Sequence, residues 1–349
     1  MSDIVDAEML ALFQTELELC KIGPGQTVAI LSGGTVRADY AQAFLCAAQN
    51  LGATALHVNI RNHVVANSNA VYGKTPLAGN RPAIEALKSA DMVIDLLGLL
   101  FSAEQLEITN AGTRMLLVLE PFHILKKMFP TEDLRRRVEF GGKLLAKAKE
   151  MHITSRAGTD VRYRLTQYPV MTEYGYTDEP GRWDHLPSGF LFTHGDDGGV
   201  DGTVMLMPGD IIAAFRRYVQ SPVKLTISKG YLTKIEGDGM DAALLNSYLE
   251  SFNDPRGYAI SHIGWGLNER ATWYHMVETR ALSAERAMNG LAFYGNVLFS
   301  TGPNTELGGD NDTPCHLDMP LRGCSLFLDG QQVLKDGEVL IPEMRAPGR

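Results

Sequence analysis

The first 155 residues alternate short apolar runs with helical patterns, and this alternation limits the possible folds more than any other feature of the chain. An apolar run at 28–31 precedes a helical pattern over about 38–51, and a second apolar run follows at 55–60. The same alternation continues with a helix at 84–90, a buried strand at 92–97, a helix at 103–109 and a strand at 115–119. Strands that alternate with helices form parallel sheets covered by helices. The sequence therefore predicts a Rossmann-like α/β domain over residues 1–155.

After about residue 151 the chain becomes rich in aromatic residues and glycine and has few helical patterns. Residues 223–227 and 231–235 flank Ser228, Lys229 and Gly230, which is typical of a hairpin because glycine supplies the positive φ that a tight turn needs. A closing meander is predicted over 324–340. We therefore predict a second, strand-rich α+β domain over residues 156–349.

Composition argues against several functional classes. The 32 Lys and Arg against 41 Asp and Glu give a net charge of -9, which disfavours a nucleic-acid partner. No run reaches the 18 or more apolar residues of a membrane span, and the start lacks a secretory pattern, so we expect a cytoplasmic protein without membrane contact. No G-x-G-x-x-G or G-x-x-x-x-G-K-[ST] motif is present, which favours a scaffold role for the first domain.

Two residues near the end of the chain carry the first chemical signal. His316 and Asp318 lie in an alternating, strand-like run, so both side chains should point to the same face. A nitrogen and a carboxylate side by side supply two of the three ligands of the two-His-one-carboxylate triad of non-haem Fe(II) sites. A second histidine would complete the triad. His262, 54 residues upstream in a second strand-like run, is the residue we nominate. The alternative is a pair of ordinary core histidines at a strand end.

A second His-x-Asp pair, His194 with Asp196, offers the same two ligand types. It lies in a glycine-rich segment that reads as a flexible turn, where the same-face argument does not apply. We therefore set this pair aside.

A further cluster of hydrogen-bonding and aromatic groups runs over 172–176 and 179–189 and includes Glu173 and His185. Such a loop would orient a small planar ligand, or it would be a surface loop with internal ion pairs. Ser300, in the polar end of an apolar run, could donate to a substrate oxygen, although a turn-forming serine is an equal interpretation.

These segments resemble the 2,5-dihydroxypyridine 5,6-dioxygenase family of ring-opening enzymes, which is related to the thermophilic-type metallo-aminopeptidases. The similarity extends over nearly the whole chain and is weaker over the first 80 residues. The strings that carry it lie at residues 165–169, 172–176, 178–185, 260–266, 299–306 and 313–318.

The resemblance implies an Fe(II) ion held by His262, His316 and Asp318, the three residues that the strand argument nominates. It further implies that Glu173, His185 and Ser300 line the substrate pocket. The implied reaction inserts both atoms of O2 across the C5–C6 bond of 2,5-dihydroxypyridine and gives N-formylmaleamate, without an organic cofactor. Relatives assemble into homo-oligomers, so the same is expected here.

One position departs from the resemblance. Phe101 stands where the family has a histidine thought to transfer protons to or from the substrate. We expect Phe101 to be one of the residues that contact the substrate. Phenylalanine cannot transfer a proton. Either His185 or Glu173 takes over as catalytic acid or base, or the substrate is a related ring, or this chain is an altered or less active form.

Two other functions compete. An aminopeptidase-like hydrolase with two metal ions would need several carboxylates, for which Glu173 and Glu236 are the candidates. A non-catalytic protein that binds a small ligand on the sheet of the first domain is the second alternative.

Overall fold

A computed structural model of the chain describes residues 6–60, 75–274 and 288–349. It consists of two compact units. Unit 1 comprises Met1–Pro130 together with Tyr174–Ser188, and unit 2 comprises Thr131–Glu173 together with Gly189–Arg349. Each unit therefore contains two separate stretches of the chain.

The regular elements of the described residues are numbered here in chain order. The helices are α1 Ala7–Leu19, α2 Ala38–Asn50, α3 Arg81–Lys88, α4 Ala103–Asn110, α5 Phe122–Lys127, α6 Glu132–Leu145, α7 Met240–Ser251 and α8 Met288–Leu291. The first ten strands are β1 Thr27–Gly33, β2 Thr54–Ile60, β3 Met92–Asp95, β4 Arg114–Val118, β5 Glu150–Ser155, β6 Asp160–Arg164, β7 Met171–Glu173, β8 Trp183–Leu186, β9 Phe190–His194 and β10 Val200–Leu206. The remaining strands are β11 Ile211–Ile212, β12 Arg217–Tyr218, β13 Val223–Ser228, β14 Tyr231–Glu236, β15 Ile260–Gly266, β16 Val297–Thr301, β17 Leu317–Leu321, β18 Cys324–Leu328, β19 Gln331–Lys335 and β20 Glu338–Val339.

Unit 1 contains a parallel sheet with the strand order β2-β1-β3-β4-β8. Every residue of β3, β4 and β8 is buried, and six of the seven residues of β1 are buried. Continuous burial is what a sheet covered on both faces requires, and it explains why β1, β3 and β4 are recognisable as apolar runs in the sequence. The α/β class predicted for the N-terminal half is confirmed.

The division between the units differs from the predicted domains, 1–155 and 156–349. Strand β8 comes late in the sequence but pairs in parallel with β4, with His185 opposite Leu117, so the segment Tyr174–Ser188 belongs to unit 1. A four-residue strand that pairs with a partner more than 60 residues earlier carries no local periodicity that would reveal it.

Helix α6 marks the other difference, because it belongs to unit 2 and not to the N-terminal domain. Thr131 caps it, its hydroxyl accepting from the Leu134 N–H at 3.1 Å. The helix packs against β7 and β9. A β-carbon at Gly142 would lie 2.6 Å from the methyl group of Thr172, so glycine allows this close approach.

Unit 2 is built from two antiparallel sheets and a short two-stranded ribbon. An eight-stranded sheet has the order β14-β13-β10-β6-β5-β18-β19-β20, and a five-stranded sheet has the order β17-β16-β15-β9-β7. The predicted hairpin is β13 and β14, with Lys229 and Gly230 both at positive φ. The predicted meander is β18 to β20. Among the described residues, no helix combines the length and apolar character needed to cross a membrane.

Candidate metal centre

Three side chains meet on one face of the five-stranded antiparallel sheet of unit 2. His262 lies in β15, Asp318 lies in β17, and His316 immediately precedes β17. The Nε2 atom of His262 lies 2.9 Å from Oδ1 of Asp318, and Nε2 of His316 lies 3.2 Å from the same oxygen. The sequence nominated these three residues, and the structure brings them together.

Strand β16 lies between β15 and β17. Its residue Ser300 explains how the side chains of His262 and Asp318 reach each other. Ser300 lies directly opposite Asp318 in the ladder and is fully buried. The register between β15 and β16 shifts between Ile260 and Ile263, and the Ser300 hydroxyl donates to the His262 carbonyl at 2.7 Å within this irregular stretch. A small side chain at 300 leaves space for the imidazole and the carboxylate to meet across it.

Burial makes this cluster electrostatically unusual. Burial acts to lower the pKa of His262, but the carboxylates of Asp318 and Glu306 outweigh it and raise the pKa to about 10. Burial acts to raise the pKa of Asp318, but His316 and His262 outweigh it and hold that pKa well below its usual range. The site therefore keeps a largely buried carboxylate ionised, which requires a compensating positive charge.

The donor set fits a divalent first-row metal ion. One donor atom from each of the three residues lies within 4.8 Å of the other two. Two ligand atoms at right angles, each about 2.1 Å from an ion, are separated by about 3.0 Å, close to the 2.9 and 3.2 Å found here. Two nitrogens and one carboxylate on one face form the donor set of a facial triad.

Two further residues, His194 and Glu306, lie on the side of His262 that faces away from Asp318. The sequence analysis did not predict them as part of the centre. Nδ1 of His262 lies 3.2 Å from Oε1 of Glu306, and Nε2 of His194 lies 2.9 Å from the same oxygen. The side chains of His194 and Glu306 are 1% and 2% exposed. Burial acts to raise the pKa of Glu306, but His194 and His262 outweigh it and hold the pKa far below its usual range.

The pair set aside in the sequence thus has two separate environments. His194 ends strand β9 and lies opposite His262 in the ladder, so its side chain belongs to the centre. Asp196 accepts from Arg164 and from the backbone of Thr166 and Gln167 instead. Treating residues 193–199 as one flexible turn hid the fact that His194 is the last residue of a strand.

Glu173 shares the sheet face of the centre but lies at a distance from it. It is buried in β7 and is paired with Phe190, four ladder positions from the level of His194 and His262. At about 3.4 Å per residue this is about 14 Å along the strands. The stacked rings of Phe190 and Phe192, 5.1 Å apart, lie between, and the Phe192 ring is 4.9 Å from that of His262.

The predicted substrate residues of unit 1 gather at the carboxyl ends of its parallel strands. His185 is buried in β8, and Phe101 follows the turn after β3. The Phe101 ring lies 4.9 Å from that of Trp183, which is 6.4 Å from the ring of His185. Ligands of open α/β sheets bind at this edge.

Phe101 has an unusual backbone conformation. Its φ of 54° lies in the left-handed region, which bulky side chains rarely adopt, and its N–H donates to Oε1 of Gln105 at 2.7 Å. Strained positions of this kind are concentrated at functional sites. Backbone strain and the departure from the family resemblance therefore fall on the same residue.

The segment that carries His185 is organised by Asp184, which the sequence analysis did not single out. This fully buried carboxylate accepts from the backbone N–H groups of Tyr174, Gly175 and His185 and from Arg182 at 2.7 Å. The segment therefore contains an internal ion pair, as the surface-loop alternative implied, but the pair is buried and fixes the backbone on both sides of the turn.

The alternative metal ligand Glu236 does not take part in any such cluster. It ends the hairpin strand β14 and forms an ion pair with Lys234 at 2.6 Å. In the described ranges, the two groups with metal-ligand geometry share His262 and contribute Asp318 and Glu306 as their only carboxylates.

Comparisons with known proteins find relatives over nearly the whole chain. The family model for 2,5-dihydroxypyridine 5,6-dioxygenase matches residues 8–341. The 2,5-dihydroxypyridine 5,6-dioxygenase of Pseudomonas putida is 46% identical over 345 residues, which cover 97% of this chain and 98% of that protein.

Solved structures give the same result. A 2,5-dihydroxypyridine dioxygenase from Pseudomonas putida KT2440 superimposes with a TM-score of 0.93 at 44% identity and covers 99% of this chain and 100% of its own. Wild-type AmpT from Thermus thermophilus matches with a TM-score of 0.55 at 12% identity, over 95% of this chain and 99% of its own, which is a likeness of fold alone. The chain belongs to the 2,5-dihydroxypyridine 5,6-dioxygenase family.

Proposed function

We propose that this chain is an Fe(II)-dependent dioxygenase that opens the ring of 2,5-dihydroxypyridine at the C5–C6 bond. Both atoms of O2 enter the product, N-formylmaleamate, so that substrate and O2 together account for all product atoms. The observation that carries the proposal is the meeting of His262, His316 and Asp318 within 4.8 Å, in a chain 46% identical to a dioxygenase of that name.

The three residues would hold the ion through Nε2 of His262, Nε2 of His316 and an oxygen of Asp318. A ferrous ion bound there supplies a Lewis acid for a substrate oxygen and a partner for O2. Asp318 and Glu306 together carry two negative charges, which balance one divalent ion when the imidazoles are neutral.

The substrate itself requires groups beyond the metal ligands. Its two hydroxyl groups are para to each other, so they cannot both reach one ion, and the rest of the ring has to be oriented by the protein. The rings of Phe192 and Phe190 offer a flat apolar surface that begins beside His262. Glu173 offers a carboxylate at the far end of that surface.

We assign proton transfer from the 5-hydroxyl to His185. It is buried at the carboxyl edge of the parallel sheet, and an imidazole changes its protonation state near neutral pH more readily than the other side chains. Phe101, beside Trp183 in the same unit, supplies an apolar ring where a proton-transferring histidine is implied by the family resemblance. Glu173 is the alternative base.

Anaerobic reconstitution tests the whole proposal. The apoprotein is loaded with Fe(II), and O2 uptake and loss of ultraviolet absorbance are followed over a panel of hydroxypyridines and dihydroxybenzenes. We expect uptake of one O2 per ring with 2,5-dihydroxypyridine or a close hydroxypyridine. Metal binding without O2 uptake on any ring would contradict the assigned reaction, and peptide hydrolysis with two ions per chain would favour the hydrolase.

Three further properties remain predictions: a homo-oligomeric assembly, a cytoplasmic location and the lack of a nucleic-acid partner. Light scattering of the purified protein measures the first of these. A monomer at micromolar concentration would contradict it.

A further inference from the structure

His262 faces a carboxylate on each of its two ring nitrogens. Nε2 lies 2.9 Å from Asp318, and Nδ1 lies 3.2 Å from Glu306. A neutral imidazole carries one N–H and one lone pair, so only one of the two nitrogens is available to a metal ion. Which nitrogen keeps the proton therefore decides whether His262 can serve as a ligand on the Asp318 side.

We propose that Glu306, supported by His194, is a positioning residue that holds the His262 proton on Nδ1 and so presents the Nε2 lone pair toward Asp318 and His316. An ionised carboxylate only accepts hydrogen bonds, so a bond between Glu306 and Nδ1 requires the proton to be there. Ligating histidines generally donate their second N–H to a carboxylate or carbonyl in this way, which fixes tautomer and ring orientation. The inference rests on the proposed metal centre.

His194 fixes the carboxylate that performs this function. Its Nε2 approaches the same Oε1 atom at 2.9 Å, so one oxygen of Glu306 is held between two imidazoles. Strands β9 and β15 place His194 directly opposite His262 in the ladder. The spacing of the two rings is therefore set by the sheet itself.

The turn that carries Glu306 is also rigid. Glu306 lies in the 3₁₀ turn Thr305–Leu307, and Asn304 before it donates its N–H to Asn311 at 3.0 Å. The N–H of Asn311 returns a bond to Oδ1 of Asn304 at 2.9 Å. A carboxylate on such a turn cannot easily follow the imidazole if the ring rotates, so it constrains the ring.

The test compares metal affinity and tautomer in matched variants. Apoprotein is titrated with Fe(II) under anaerobic conditions, and the Zn(II)-loaded, ¹⁵N-labelled protein is examined by imidazole ¹H–¹⁵N correlation. For Glu306→Gln we expect metal affinity to fall by about 10- to 100-fold and the His262 Nδ1–H signal to weaken or shift. Zn(II) on Nε2 keeps the proton on Nδ1 in every loaded variant, so the signal reports the hydrogen bond from Nδ1–H to residue 306, and a purely structural role would leave that signal unchanged.

His194 variants keep the inference testable if Glu306→Gln does not fold. His194→Gln retains an N–H donor, so its metal affinity should stay within about threefold of wild type, whereas His194→Phe should lose about tenfold. Glu16→Gln removes another fully buried carboxylate, in unit 1, and should leave the affinity unchanged. Thermal melts of all variants report whether each is folded.

The outcomes separate this inference from the proposed function. If the wild type binds no metal, the metal centre itself is wrong. If the wild type binds metal and folded Glu306→Gln binds it equally with an unchanged His262 Nδ1–H signal, only the role of Glu306 is wrong. A second metal equivalent in the wild type that is lost in both Glu306→Gln and His194→Phe would also overturn the inference, because the group would then be a second metal site.

Discussion

The five-stranded sheet of unit 2 and the parallel sheet of unit 1 present very different chemistry at their functional edges. On one face of the former, three imidazoles and two carboxylates lie within hydrogen-bonding reach of one another. In the latter, the His185 ring lies 6.4 Å from that of Trp183, whose other neighbour is the Phe101 ring at 4.9 Å. The first arrangement suits a charged ion and the second suits a planar ring, so substitutions in the two regions should affect different measured quantities.

The largest effect is expected from loss of a metal ligand. Asp318→Ala leaves His262 and His316 without the carboxylate that approaches both, so we expect the bound iron and the O2 uptake to fall to background. His316→Ala should do the same. Metal analysis of the reconstituted protein and an oxygen electrode measure the two quantities.

Asp201→Ala is a suitable control for these ligand variants. Asp201 is an exposed aspartate of unit 2 whose carboxylate accepts from the Lys229 N–H at 2.9 Å. It should keep full metal content and activity. Full O2 uptake with either ligand variant would remove the triad assignment.

A substitution at the carboxyl edge of the parallel sheet should lower the rate and leave the metal content unchanged. His185→Gln removes the proposed base, so we expect kcat to fall by about 10²- to 10⁴-fold while iron content stays at the wild-type level. His152→Gln is the control, because His152 pairs with Asp160 in β5 and β6 of unit 2. If His185→Gln retained kcat, Glu173 would become the candidate base.

The same contrast explains how much of the fold could be predicted. In unit 1, β1, β3 and β4 are buried over nearly their whole length, so they are visible as apolar runs between helices. In unit 2, the turn residues Ser228, Lys229 and Gly230 between two strand-like runs indicated the β13–β14 hairpin. Strand β8 was missed because its placement depends on pairing with the distant β4.

The site was predictable where ligands lie close in the sequence or in recognisable strands. The spacing of His316 and Asp318 indicated one shared face, and the strand-like run around His262 indicated a third ligand. Glu306 was missed because it lies in a polar turn, where a single acidic residue is unremarkable. Only the ladder between β9 and β15 reveals that His194 belongs with it.

Phe101 offers a gain of function at the edge of unit 1. Histidine is better tolerated than phenylalanine at a φ of 54°, so Phe101→His should fold normally. If proton transfer is all that is missing, kcat on 2,5-dihydroxypyridine should rise by about tenfold or more. Steady-state O2 uptake measures this. No gain on that ring, with the iron content unchanged, would point to a different substrate or to a complete substitute base.

Ser300→Ala, in the five-stranded sheet of unit 2, should have the smallest effect on activity and stability. The Ser300 hydroxyl has one proton, which it donates to the His262 carbonyl, so it can only accept from a substrate. Loss of the backbone bond should lower the free energy of unfolding by about 1 kcal/mol, and loss of an accepted substrate bond should raise KM about fivefold. Ser261→Ala is matched, since Ser261 is equally buried and donates to the Pro303 carbonyl. It should show the same loss of stability with an unchanged KM. If both variants leave KM unchanged, Ser300 supports the strand that holds His262 and has no contact with the ring.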